Sequence, residues 1–127
     1  VKLIPNVPMI LDHCGKPGIA EGEIKQYKED VSELSKHHNL WIKLSDLPVE
    51  ADHKKWTDDD LKPYIDATID AFGFDRTIYA GDYPICLQAT TLTRWVEVLD
   101  WALAGSSEEE LRKFYRNNAN EFYRLGL

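Results

Sequence analysis

The sequence is poor in cysteine, in basic charge and in long apolar runs, and each shortage removes a class of function. Cys14 and Cys86 are its two cysteines in 127 residues. That is too few for a disulfide framework, and their spacing fits no zinc motif. They read as free thiols of a reducing compartment. Lys and Arg total 15 against 22 Asp and Glu, a formal net charge of −7. Such a balance argues against a nucleic-acid backbone or an anionic membrane as the main partner, although an anionic substrate can still use a local basic pocket. No apolar run is long enough to span a bilayer and no signal peptide is visible, which makes a cytoplasmic location the default. An initiator methionine is also missing. The chain opens Val1-Lys2-Leu3-Ile4-Pro5, close to an apparent strand, as a processed start or a piece of a longer protein would.

What is present suits one packed domain. Hydrophobic residues make up 43% and charged residues 29%, enough for a core and too apolar for disorder. Three short apolar runs read as strands buried on both faces: Pro8 to His13, Leu40 to Ser45, and Thr77 to Asp82, the last stopped by Pro84. Helical stripes lie between and after them. Ile24, Tyr27, Val31 and Leu34 recur at spacings of three and four within 21–38, and Leu61, Tyr64, Ile65, Ile69 and Phe72 within 57–72. Gly73 ends the second helix, and Pro63 is expected to restart it. Leu92, Trp95, Val96, Leu99 and Leu103 line 90–103. Ser106, three residues before Glu109, has the spacing of a capping box for a last helix that buries Leu111, Phe114, Tyr115, Phe122 and Tyr123. Trp56, Trp95 and Trp101 fit helix packing, and Asp58-Asp59-Asp60 suits a first helical turn.

Alternating strands and helices predict an α/β fold with parallel strands. Three parallel strands alone would leave unpaired edges and an uncovered face. Partner strands are therefore expected, from self-association or from a missing N-terminal portion of the same fold.

Parallel α/β folds carry their reactive groups just past the carboxyl ends of strands. The first strand ends in Asp12-His13-Cys14-Gly15-Lys16-Pro17 and the third in Gly81-Asp82-Tyr83-Pro84. His13 can shuttle protons, stabilise an oxyanion or bind a metal; alternatively it bonds a backbone carbonyl. Asp82 can serve as general base to a water, or as a turn aspartate before Pro84. In the middle strand Trp41, Lys43 and Ser45 share one face. Lys43 there calls for a polar cavity or a carboxylate, and balancing a buried carboxylate suits it better than acting as a nucleophile. Cys14 beside His13 invites a thiol-nucleophile reading, but adjacent residues rarely face each other. His37 and His38, adjacent at a helix end, are poor co-ligands for the same reason.

Four stretches in this order resemble the amidohydrolase-related family: Leu11-Asp12-His13-Cys14-Gly15-Lys16-Pro17, Leu40-Trp41-Ile42-Lys43-Leu44-Ser45, Phe72-Gly73-Phe74-Asp75-Arg76 and Tyr79-Ala80-Gly81-Asp82-Tyr83-Pro84. The ending Asn117-Asn118-Ala119-Asn120-Glu121-Phe122-Tyr123 resembles that family's last helix. Within the family, the branch of sugar-lactone hydrolases and pyrone-dicarboxylate lactonase is the nearest in pattern. The resemblance implies that residues 1–127 are the last three βα units of a TIM-like (β/α)8 barrel, strands six to eight, with an extra C-terminal helix. It implies His13 and Asp82 as catalytic residues, and as metal ligands where a divalent ion such as zinc is used; some members of the branch use none. Lys43, Lys16 and Tyr83 beside them are the candidate substrate-binding side chains, with Lys43 positioning Asp82 or an anionic substrate group. The expected reaction is opening of a carbohydrate-derived lactone by water. Metal-dependent decarboxylation and a non-catalytic fragment or assembly module are the alternatives. The family's first-strand His-x-His pair has no counterpart here.

Overall fold

In the computed structural model, which describes residues 3–127, the three apolar runs pair as one parallel sheet. Val1 and Lys2, part of the opening run, lie outside the described residues. Strand β1 is Met9–Leu11, β2 is Leu40–Leu44 and β3 is Thr77–Tyr79, in the order β1-β2-β3. Each is shorter than its apolar run, because the polar residues at its carboxyl end turn away from the sheet. Ile42 pairs with both Leu11 and Thr77, so the central strand sets the register for both neighbours.

Helices α1 (Ile24–Ser35) and α3 (Asp58–Phe72), with the short α2 (Leu47–Glu50) between them in the chain, pack so that α1 and α3 cover one face of this sheet, with α4 (Leu92–Ala102) beside α3. Period-two alternation sends Leu40, Ile42 and Leu44 to that side, where they are 4%, 0% and 0% exposed. They join Tyr27, Val31, Leu61, Ile65, Phe72, Trp95, Leu99 and Phe114 in one apolar core. Trp41 and Lys43 face the other way and are half-buried. Phe122 lies against Trp41, ring centroids 5.5 Å apart, so the C-terminal helix covers part of this second face.

Helix α3 starts at a capping box of Thr57 and Asp60, and Asp58, Asp59 and Asp60 fill its first turn. Pro63 does not restart it. The helix runs through, because the carbonyl deprived of a partner belongs to Asp59, on an exposed turn that water can reach. In α4 the buried side is Trp95, Val98 and Leu99, whereas Leu92 is 37% exposed. The stripe is therefore rotated towards Val98, which the sequence pattern had not included.

The last helix begins one residue later than the spacing suggested. Ser107, not Ser106, caps α5 (Glu108–Arg112) together with Glu110, since the Ser106 amide is already bonded to the Leu103 carbonyl. A π-type turn, Lys113–Asn117, leads into α6 (Asn118–Tyr123). Phe114 is buried, while Tyr123 is 45% exposed rather than part of the core. The buried Asn118 amide donates to the carbonyls of Phe74 and Thr77, at 2.5 and 2.8 Å, and so ties this helix to the start of β3. Asn118→Ala leaves those acceptors unpaired and is expected to lower the unfolding free energy by about 2 kcal/mol, read by urea denaturation. A change below about 0.5 kcal/mol, the range of an indifferent surface substitution, would show that the tether is not needed.

Candidate functional site

Each strand delivers one side chain to a common cluster as the chain leaves its carboxyl end: His13 after β1, Asp46 after β2 and Asp82 after β3. The backbone is bent to do it. His13, Cys14, Lys16, Asp46 and Asp82 all have left-handed φ, between 50° and 67°. Arg124 is the sole other non-glycine with positive φ among the described residues. Such conformations cost on the order of 1–3 kcal/mol each and gather where function holds them in place. A cis Tyr83–Pro84 peptide follows Asp82.

His13 Nδ1 lies 2.8 Å from the buried Ser45 Oγ. When the neutral ring donates from Nδ1, its lone pair sits on Nε2. That atom is 3.6 Å from Asp82 Oδ1 and 3.5 Å from Asp12 Oδ2. One potential ligand atom from each of His13, Asp46 and Asp82 falls within 4.8 Å of the others. The Asp46 side chain is 1% exposed and that of Asp82 11%. Their Oδ1 and Oδ2 atoms respectively are buried without a hydrogen-bond partner among the described residues. Burial raises the Asp46 pKa above the usual carboxylate value and the facing Asp82 adds to the rise, against the opposing pull of Lys16 and Glu50. Two buried carboxylates facing each other are stable only with a shared proton or a cation between them.

The candidate substrate-binding residues divide. Lys16 Nζ donates to Asp46 Oδ2 at 2.7 Å and Glu50 Oε1 at 2.6 Å, so its charge is already committed to fixing Asp46. Lys43 serves Asp12, 3.0 Å from its Oδ1, rather than Asp82. The parallel register is the reason: Leu11 sits opposite Ile42, which puts Asp12 next to Lys43 on the same face. Nor is that carboxylate a buried one, since the Asp12 side chain is 54% exposed. Burial alone would lower the Lys43 pKa, but its bonds to Asp12 and Tyr123 outweigh it and the net direction is up. Tyr83 is 66% exposed beside Asp82 and free to meet a ligand. Ser45 and Asp46 escaped the sequence reading of the site, although the strand-end rule used for β1 and β3 applies equally to β2.

The geometry can abstract a proton at Asp82, stabilise negative charge at His13, or hold a divalent cation. The carboxylate-and-imidazole donor set and the orphaned buried oxygens fit such an ion. The amidohydrolase sequence profile matches residues 1–125. The chain belongs to the amidohydrolase family. It is 30% identical to an L-fucono-1,5-lactonase of Burkholderia multivorans, over 92% of this chain and 43% of that protein. An uncharacterised protein of Sinorhizobium fredii, y4mH, is 26% identical over 95% of this chain and 40% of its own length. A crystal structure of an amidohydrolase from B. multivorans with bound zinc superposes with a TM-score of 0.85 at 29% identity, covering 91% of this chain and 43% of that one. The chain thus spans less than half the length of these amidohydrolases, and its three parallel units correspond to part of their barrel. A putative 2-pyrone-4,6-dicarboxylic acid hydrolase from Pseudomonas putida shares the fold, with a TM-score of 0.74 at 17% identity.

Cys14 takes no nucleophilic part in this amidohydrolase site. Its thiol is 2% exposed and donates to the Lys43 carbonyl at 3.4 Å, and burial pushes its pKa up to about 11. Burial also raises the pKa of Cys86. Iodoacetamide at neutral pH is therefore expected to label neither cysteine in the folded chain and both in urea, counted by intact mass. Rapid native labelling of Cys14 would contradict the placement.

Proposed function

We propose that the complete enzyme containing this chain hydrolyses a carbohydrate-derived lactone. The observation that carries the proposal is the meeting of a nearly buried Asp82 with His13 Nε2 beyond the ends of the two outer strands, β3 and β1. The lactonase relatives supply the substrate class.

Asp82 takes a proton from a water as the water oxygen bonds to the lactone carbonyl carbon. In the other neutral tautomer Ser45 Oγ donates to His13 Nδ1, and the Nε2–H donates to the negative charge that grows on the carbonyl oxygen. Collapse breaks the ring C–O bond, and the proton held by Asp82 passes to the departing alkoxide, leaving a hydroxy acid. Tyr83, exposed beside Asp82, is the side chain that contacts the sugar portion in this reading. A divalent metal such as zinc, held by His13 and Asp82, supplies Lewis acidity towards the carbonyl when bound.

The remaining barrel units, or another copy of the chain, would pair the outer edges of β1 and β3, which carry no neighbouring strand among the described residues. Light scattering on the purified chain is expected to give a mass above 14.6 kDa. A lone species of that mass would mean that the chain does not close a barrel by self-association.

In the complete enzyme, Asp82→Asn is expected to lower lactone turnover on the order of a hundred-fold or more, the loss of a general base. Near-normal turnover by that variant would remove Asp82 from the mechanism. Ser45→Ala is expected to cost about 10–100-fold by freeing the His13 ring, with the protein still folded by circular dichroism.

A further inference from the structure

Asp46 has no role in the hydrolysis just described, yet the chain goes to some length to keep it where it is. Its backbone is held at φ 67°, a conformation that disfavours side chains in general and admits Asn, Asp and Gly. One carboxylate oxygen, Oδ2, is pinned by Lys16 at 2.7 Å. The other, Oδ1, is buried and unpartnered, as is Asp82 Oδ2, and one potential ligand atom of each residue lies within 4.8 Å of the other. A solitary buried carboxylate would relieve that cost by turning its free oxygen to water or to an amide. Here the ion pair of Oδ2 with Lys16 opposes that turn.

Glu50 shares the Lys16 ammonium at 2.6 Å, so one positive charge serves two carboxylates and leaves the cluster short of positive charge. His13 completes the surroundings with a ring nitrogen, and Ser45 occupies the other nitrogen and fixes the ring. Three donors, two carboxylate oxygens and one imidazole, thus come from three different strand ends within 4.8 Å of one another. Three protein ligands and one open position suit a zinc-class divalent cation, with the ligand imidazole bonded through its second nitrogen to a fixing group.

We propose that Asp46 is a third metal ligand, and that His13, Asp46 and Asp82 together bind a zinc-class divalent cation within this chain, without histidines from any other strand. This deepens the reading of the site as hydrolytic, and rests on it only for the use to which the ion is put. Asp46 and Asp82 then share one ion rather than repel, and Lys16 is a positioning residue that orients Asp46 from behind.

The test is zinc binding to the chelator-treated 127-residue chain, followed by calorimetry, with cobalt absorbance to report the coordination number. One site per chain is expected, with a rise in melting temperature on saturation. Asp46→Asn keeps the shape and the left-handed preference. Asp46→Gly removes the side chain at a position whose φ glycine adopts freely, so at least one of the two should fold. Both are expected to bind at least about tenfold more weakly, the lower end of what losing even an outer partner of a metal ligand costs. Asp82→Asn is expected to weaken binding similarly. Zinc affinity unchanged in both Asp46 variants overturns the proposal. So does the absence of any site in the wild-type chain, which would leave the carboxylate pair to a shared proton. Zinc binding that depends on Asp46, in a complete enzyme that opens no lactone, would leave this inference standing and sink the proposed reaction instead.

Discussion

Parallel pairing of β1, β2 and β3 in one register is the constraint on which the rest depends. Because the strands run the same way, all three leave the sheet at one edge, and the residues that follow them are neighbours in space however far apart in sequence. His13, Asp46 and Asp82 meet for that reason, as do Asp12 and Lys43 one step inside the sheet. Antiparallel pairing of the same strands would carry one of the three to the opposite edge.

The two faces of the sheet have different tasks. Leu40, Ile42 and Leu44 point into a core roofed by helices, and that side is closed within the chain itself. On the other side Trp41 and Lys43 are half-buried, and Phe122 and Tyr123 from the last helix reach only part of that face. An apolar core of this kind can support strained turns: the left-handed residues beyond the strand ends are unfavourable locally, and packing elsewhere offsets them. The rigid side of the sheet therefore holds the reactive edge in shape.

Much of this was legible in the sequence because it rests on short-range pattern. Period-two and period-3.6 repeats placed the strands and the helices, and the strand-end rule singled out His13 and Asp82, which the fold brings to within 3.6 Å of each other. What escaped it depends on backbone dihedrals and on pairs far apart in the chain. A left-handed turn cut β1 short at Leu11, a feature that side-chain pattern does not encode. The partner of Lys43 follows from register, which needs two strands to be aligned first. Ser107 displaced Ser106 as the cap because a preceding turn had already taken the Ser106 amide. Asp46 was passed over because the strand-end rule was applied to the first and third apolar runs and not to the second, which Asp46 follows two residues before Pro48.

The left-handed backbone at Asp46 also bears on how such a site changes over generations. Glycine is the residue most at ease at φ 67°, and the codons for aspartate and glycine differ by a single base. The carboxylate can thus appear or vanish at this place in one mutational step with the main chain undisturbed. The charge at the heart of the cluster is then free to drift among descendants of one ancestor, while the sheet, its helices and the other strand ends stay as they are.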